Sequence, residues 1–344
     1  MTSLLQKYYD TNYTLNCSKR SFLNTNEFLV SSVTILSPFS IILGTYGMLV
    51  IIFATPKQME SVKWFLFHYH VITFFIELTL NNLIVPLVIL PSAAVYCNGF
   101  LLDLGIPFKV VMYISDVSFI ALSLSMLMIF ENRHSQIITI PYRMSKKSTK
   151  VIFYAIHYVL FPCFPIAYYY GEFDLDTAKL EILQIIPCPE PHFFDKRTQI
   201  ITLDMELFGM ISGLIMLYFT IIIQFFALQS GYYLLKKTTT HISDSMRSMQ
   251  RKFFLILSIQ VAVPVLFMLI PNIIYYSAET VDQFVSTMTV LFVSFHGIVS
   301  SVILIVLHKP YRDFTWNNSL GRCIANSRNT LSDQSVKPNT VTMF

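Results

Sequence analysis

Seven stretches of this chain are long, apolar and nearly free of charge: Phe28 to Phe53, Phe65 to Leu90, Val110 to Phe130, Val151 to Tyr170, Leu207 to Leu235, Phe253 to Tyr276, and Phe284 to Leu307. A helix that crosses the hydrocarbon core of a bilayer needs about 20 such residues, and each stretch supplies them. The pattern predicts an all-α integral membrane protein, a bundle of seven transmembrane helices. An odd number of crossings puts the two termini on opposite sides. The expected organisation is an outer tail over 1–27, the seven-helix domain over 28–307, a juxtamembrane amphipathic segment over 308–326 and a disordered cytoplasmic tail over 327–344. Pro38, Pro86, Pro162, Pro165, Pro264 and Pro271 fall inside predicted spans, where a missing N–H is expected to kink the helix.

Composition sharpens the membrane reading. Of the 344 residues 54% are hydrophobic and 13% charged, where a soluble protein carries roughly 25% charged residues. The positions of the charges then set the orientation. Residues 54–64, 131–150, 236–252 and 308–344 hold 17 of the 24 Lys and Arg, and basic residues in short loops are retained in the cytoplasm. The N-terminus is therefore expected outside and the C-terminus inside. Asn12-Tyr13-Thr14 and Asn16-Cys17-Ser18 are glycosylation sequons in the N-terminal tail, so Asn12 and Asn16 are candidate glycosylation sites that agree with that orientation.

The candidate chemistry is that of a receptor. HExxH, GxSxG, GxGxxG and phosphate-loop motifs are absent, and the five cysteines form no metal-binding spacing, so neither an enzyme, a metal nor another cofactor is expected. Nothing in the charge pattern points to a nucleic acid. At the inner end of the third span stand Glu131, Asn132 and Arg133. An acid followed closely by an arginine here is similar to the Asp/Glu-Arg-Tyr motif of rhodopsin-like receptors, in which the arginine is held until activation frees it to meet a G protein. A guanidinium at the membrane edge needs a partner and can exchange one for another.

Three segments carry a closer likeness: TPKQMESVKW (Thr55 to Trp64) in the first inner loop, FENR (Phe130 to Arg133) after the third span, and HKPYR (His308 to Arg312) after the seventh. With PCP (Pro187 to Pro189) in the second outer loop, they resemble the nematode serpentine receptor class H chemoreceptors over about residues 25 to 315. The resemblance implies a G-protein-coupled receptor for a small odorant or tastant, in the plasma membrane of sensory cilia and coupled to a heterotrimeric G protein. It assigns the coupling face to Glu131, Asn132 and Arg133 with Pro310, Tyr311 and Arg312. The competing class is a transporter or channel, whose polar path would have to begin at Glu77, Asn81, Asn82 and His296.

Further residues are singled out by depth. Asp116 lies 17 residues before Arg133, about 26 Å along the helix, which places an ionisable side chain in the outer half of the third span. Tyr113 is one turn above, and Tyr275 and Tyr276 of the sixth span are expected at similar depth, so these four are the candidate ligand contacts. Glu77 and His296 are each roughly 16–18 Å from the inner face and are expected to approach one another, with Ser123 able to join them. Cys188 is expected to bond Cys97, the other cysteine of the outer loops, with Cys17 as rival. The segment after Leu307 is expected to form a short helix with Tyr311 and Phe314 towards lipid, and Cys323 is a palmitoylation candidate.

Overall fold

The computed structural model describes residues 3–17, 21–89, 92–137, 140, 143–169, 173–235, 244–277 and 283–317. Seven helical passes form the bundle. The first span is Asn26–Ala54, opened by Thr25, whose hydroxyl accepts from the Phe28 amide at 3.4 Å. The second is Glu60–Leu78, widening into a π-helical turn over Thr79–Leu83. The third is Phe108–Gln136, the fifth Met205–Leu235, the sixth Asp244–Ser277 and the seventh Gln283–Leu307. The fourth is broken: Lys147–Leu160, a 3-10 turn at Phe161–Cys163 carrying Pro162, then Ile166–Tyr169 beyond Pro165. Spans one, three, five, six and seven are continuous helices long and apolar enough to cross a bilayer.

Burial orders the ring. In the third span 61% of the most apolar window is buried, against 17% in the fifth. The third is therefore the central post and the fifth a perimeter helix whose side chains are left for lipid. The third packs on the second and fifth, the first on the second and seventh, and the seventh on the sixth. Leu66, Tyr69 and Ile76 of the second span, Leu122, Leu127 and Phe130 of the third and Leu257 of the sixth make the main core.

The second span ends earlier than hydropathy predicts. Its helix stops at Leu83, and Pro86–Ile89 is a strand, β1, antiparallel to β2 (Ala94–Cys97) with Pro86 opposite Cys97 and Ile89 opposite Ala94. The proline explains the break, since its ring disfavours helical geometry in the residue before it. Val85, that residue, has φ of 45°, where a β-branched side chain is strained. Apolar runs do not distinguish a buried strand from the end of a buried helix, which is why the run to Leu90 suggested a longer span. β2 also pairs with β3 (Gln199–Ile200), so a small mixed-origin sheet closes this end of the bundle.

The N-terminal segment, expected as a polar tail, folds back onto that sheet. Its helical residues 3–16 place Leu5 and Tyr13 in a core with Ile182, Phe193, Phe194 and Ile200. The Tyr8 and Tyr13 hydroxyls donate to the carbonyls of Pro187 (3.0 Å) and Pro189 (2.9 Å) on either side of Cys188. This brings Cys17, not Cys97, to Cys188: the disulfide is Cys17–Cys188, with Cα atoms 5.5 Å apart. Cys97 is a free thiol packed among Ile84, Val95 and Val111, because alternation along β2 turns it into the core. Burial pushes that thiol up to about 12, so it is an unreactive apolar group. Asn12 and Asn16 are exposed on this cap.

Candidate functional site

The three sequence motifs converge at the opposite end of the bundle. The Thr55 hydroxyl, which closes the first span by donating to Ile51, meets the Tyr311 hydroxyl at 2.9 Å, and Tyr46 donates to Thr315 at 3.0 Å. Tyr311 is thus fully buried against Val50, Ile51 and Leu304, with Phe314 beside them, rather than turned to lipid. A phenol has an apolar ring and one polar tip, and this pocket satisfies both. It lies on the helix Lys309–Thr315, started by Pro310 where a missing N–H costs nothing. The Arg312 guanidinium donates to the Val306 carbonyl at 3.1 Å, neutralising the carboxyl end of the seventh span. From the third span, Asn132 donates to the Ser61 carbonyl at 3.2 Å and Gln136 to the Ser61 hydroxyl at 3.0 Å, tying FENR to the start of the second span.

Glu131 and Arg133 do not pair. Residues two apart on a helix point about 200° apart around its axis, so an acid and an arginine at this spacing serve different neighbours. Glu131, fully buried, accepts hydrogen bonds from Ser135 and Tyr154 and forms an ion pair with Lys150 at 3.3 Å, clamping the third span to the fourth. Arg133 faces the sixth span, with its guanidinium carbon 4.0 Å from the centre of the Phe253 ring. One arm donates to Gln136 at 3.1 Å, whereas the buried Nε has no hydrogen-bond partner. His308 completes the contact: its ring lies 5.7 Å from Phe253 and 5.1 Å from Tyr311, and its Nε2 is 3.4 Å from the Gln260 amide oxygen. Burial, and then the charge of Arg133, pushes the His308 imidazole down to about 4, so it is neutral at physiological pH. Elsewhere at this end, His134 meets Gln229 of the fifth span at 2.8 Å, and Arg251 donates to the carbonyls of Leu234 and Leu235, capping the fifth helix. Phe253, His308, Lys150 and Tyr154 were not legible as partners. They lie far along the chain from the residues they touch.

Two of the candidate ligand contacts are joined to the fourth span. Asp116 accepts from the Tyr169 hydroxyl at 2.6 Å, Tyr113 donates to the Pro162 carbonyl at 3.0 Å, and Lys109 donates to the Tyr169 carbonyl at 2.9 Å. These bonds fasten the cap-side half of the third span to the broken fourth. The proline break supplies the reason, since it frees carbonyls for side chains to satisfy. The side chains of Tyr275 and Tyr276 lie outside the described residues, as do Cys323 and the segment 327–344.

Glu77 and His296 are both fully buried between the second and seventh spans. The Glu77 carboxyl presses into the notch at Gly297, where a Cβ would lie 2.3 Å from its carboxyl carbon. No direct hydrogen bond or ion pair joins Glu77 to His296. His296 Nδ1 donates to the Val293 carbonyl of its own helix at 2.6 Å and its Nε2 has no hydrogen-bond partner among the described residues, while the Glu77 carboxyl has the Ser40 hydroxyl and the Ile298 amide as its nearest donors without a well-formed bond to either. Ser123 does not join them either, because its hydroxyl bonds the Phe119 carbonyl one turn back at 3.2 Å.

A seven-helix membrane bundle, with an arginine at one end of its central helix gripped by the sixth, is the architecture of a seven-transmembrane receptor. Residues 24–319 match the model of the family described as Serpentine type 7TM GPCR chemoreceptor Srh, and the chain belongs to that family. It is also similar to Serpentine receptor class H-72 of Caenorhabditis elegans, with 27% identity over 323 residues that cover 90% of this chain and 91% of that protein.

Proposed function

We propose that this protein is a chemosensory receptor of the plasma membrane, displayed on sensory cilia, that detects a small odorant or tastant and activates a heterotrimeric G protein. The N-terminal cap faces outside, where Asn12 and Asn16 accept glycans, and the motif end faces the cytoplasm. The observation that carries this reading is Arg133. A half-buried guanidinium with a buried, unpartnered Nε, held by a ring of the sixth span, is a cation waiting for a better partner. Movement of the sixth span would release it to the G protein, while Asn132, Pro310, Tyr311 and Arg312 keep the flanking segments in place. Ligand is received in the outer half of the bundle, where Asp116 and Tyr113 connect the third and fourth spans and the sixth brings Tyr275 and Tyr276. Glu77 and His296 couple the second span to the seventh through a water-bridged contact.

The test has two parts. Cells expressing the receptor are imaged for calcium against a panel of volatile and water-soluble chemicals, and Arg133→Ala is then compared with the wild type for the active compound. The variant is expected at the cell surface in normal amount with its evoked response lost. A normal response from Arg133→Ala would overturn the coupling role, and substrate flux in vesicles would instead favour a transporter.

A further inference from the structure

One polar group in the cap belongs neither to the disulfide nor to the proposed coupling machinery. His192, on the 3-10 turn Pro191–Phe194, lies where three chain segments meet. Its Nδ1 donates to Glu190, 2.9 Å from one carboxylate oxygen and 3.1 Å from the other, and its backbone amide donates to the same carboxylate at 2.7 Å. Its Nε2 is 3.5 Å from the Asn26 side-chain nitrogen at the start of the first span. Asn26 and Asn98 exchange reciprocal amide hydrogen bonds of 2.8 and 2.7 Å, and the Asn98 amide nitrogen also donates to the Val85 carbonyl at 3.3 Å. The chain of contacts therefore ends on the strained residue between the second span and β1.

We propose that His192 is a proton-binding site of the outer cap, which sets the conformation of the Val85 turn through the Asn26 and Asn98 amides. Donor and acceptor bookkeeping gives the mechanism. In the neutral ring Nδ1 carries the hydrogen for Glu190, and Nε2 accepts from Asn26. Protonation puts a hydrogen on Nε2, which then faces the Asn26 NH₂ group, donor against donor. Turning the Asn26 amide restores the contact by offering its oxygen, but reverses the polarity of the pair with Asn98. Asn98 must then turn as well, and its oxygen comes to face the Val85 carbonyl, acceptor against acceptor. The hydrogen bond that helps hold the strained turn is lost, so a proton arriving at the loop is felt at the outer end of the second span.

The surroundings favour proton uptake. Glu190 and Asp195 on its own loop and Glu27 on the first span are the charges that act on His192, all acidic, and the Tyr96 ring of β2 lies 4.6 Å away. The N-terminal segment contributes uncharged Gln6 and Tyr9 to the crevice His192 lines. The hydrogen bond to Glu190 holds the imidazole above its usual value, with burial opposing and the three carboxylates assisting. A folded value above the unfolded one means that this stabilisation is complete below the unfolded value and is lost as pH rises through the folded one. The His192–Glu190 contact therefore contributes most on the acidic side, where it offsets the loss of the Asn98–Val85 hydrogen bond, and the switch lies at or above the ordinary histidine range.

The proposal does not depend on G-protein coupling, because its readout is the exchange of the protein's own amides. The backbone amides of Asn98 and Gly99 donate to the carbonyls of Val85 (3.1 Å) and Ile84 (2.7 Å) and report on the turn. Hydrogen exchange of the full-length receptor in lipid nanodiscs is compared at about pH 5.5 and about pH 8, corrected for intrinsic chemical exchange. In the wild type, protection at residues 98–99 is expected to change severalfold between the two. His192→Gln, which cannot titrate, is expected to flatten that change. Asn26→Ala should keep the pH response in the loop 190–198 and lose it at 98–99, and this variant decides the matter if His192→Gln does not fold. A wild type with pH-independent protection at 98–99, or an Asn26→Ala variant that still transmits the change there, overturns the proposal.

Discussion

The two ends of the bundle are held together by different means. At the motif end, neighbouring helices interlock through single side chains: Thr55 on Tyr311, Asn132 on Ser61, Arg133 on Phe253, Glu131 on Lys150 and Tyr154. At the cap, distant segments are joined by backbone and covalent bonds, a three-stranded sheet and the Cys17–Cys188 disulfide. Side-chain contacts between helices can be exchanged one at a time, each at a cost of about 1–3 kcal/mol. A sheet and a disulfide come apart only together. The motif end is therefore built of contacts that can be exchanged singly, whereas in the cap such contacts, those of His192, Asn26 and Asn98, sit inside a frame of sheet and disulfide.

The sharpest way to break that comparison is to cut the covalent tie. Cys17 and Cys188 are 171 residues apart, and closing such a loop is worth about 5 kcal/mol by chain entropy, an upper bound where helices already restrain the chain. Cys17→Ser should release residues 3–16 to rapid hydrogen exchange and lower the melting temperature in detergent by several degrees. Cys97→Ala is the comparator and should leave the exchange of residues 3–16 as in the wild type, since its thiol bonds nothing. Release of residues 3–16 by the Cys97 variant and not by Cys17→Ser would overturn the pairing.

A smaller loss is expected from Tyr154→Phe at the other end. It takes one hydrogen bond from the buried Glu131 carboxylate while Ser135 and Lys150 remain, a cost of about 1–3 kcal/mol that thermal melting would detect. The exchange of residues 3–16 should not change, because the two ends have no partner in common. Smallest in stability is Phe253→Leu, which removes the ring under Arg133 and about 0.5–2 kcal/mol of cation–π attraction. Its visible effect is in signalling. Ligand-independent activity should rise in a G-protein activation assay, whereas unchanged basal activity would show that the ring does not restrain the arginine.

How much could be read beforehand differs between the ends in the same way. Thr55 to Trp64, Phe130 to Arg133 and His308 to Arg312 stood out as motifs, and all three meet in space. Their partners were not visible: the two-residue spacing sends Glu131 to the fourth span and Arg133 to the sixth. In the cap a bond to Cys188 was foreseen, with Cys97 as the expected partner and Cys17 as the rival. The identity of the partner rested on where a polar-looking tail folds, and three tyrosines with a leucine were enough to bury it.

What the sequence determined by itself is whatever depends on composition over a length: seven crossings, their order and the depth at which Glu77, Asp116 and His296 lie along their helices. Hydrophobic run length is a local property, and a rise of 1.5 Å per residue turns position into depth with no knowledge of neighbours. Tertiary structure alone decided which face met which partner. Asp116 turned to Tyr169 of the fourth span, His296 to its own Val293 carbonyl, Arg133 to Phe253 and Cys188 to Cys17. Depth is one coordinate, whereas a contact also needs the azimuth of both helices and the path of the loops. Those are set by the packing of the whole ring, to which every span contributes and which no single segment encodes.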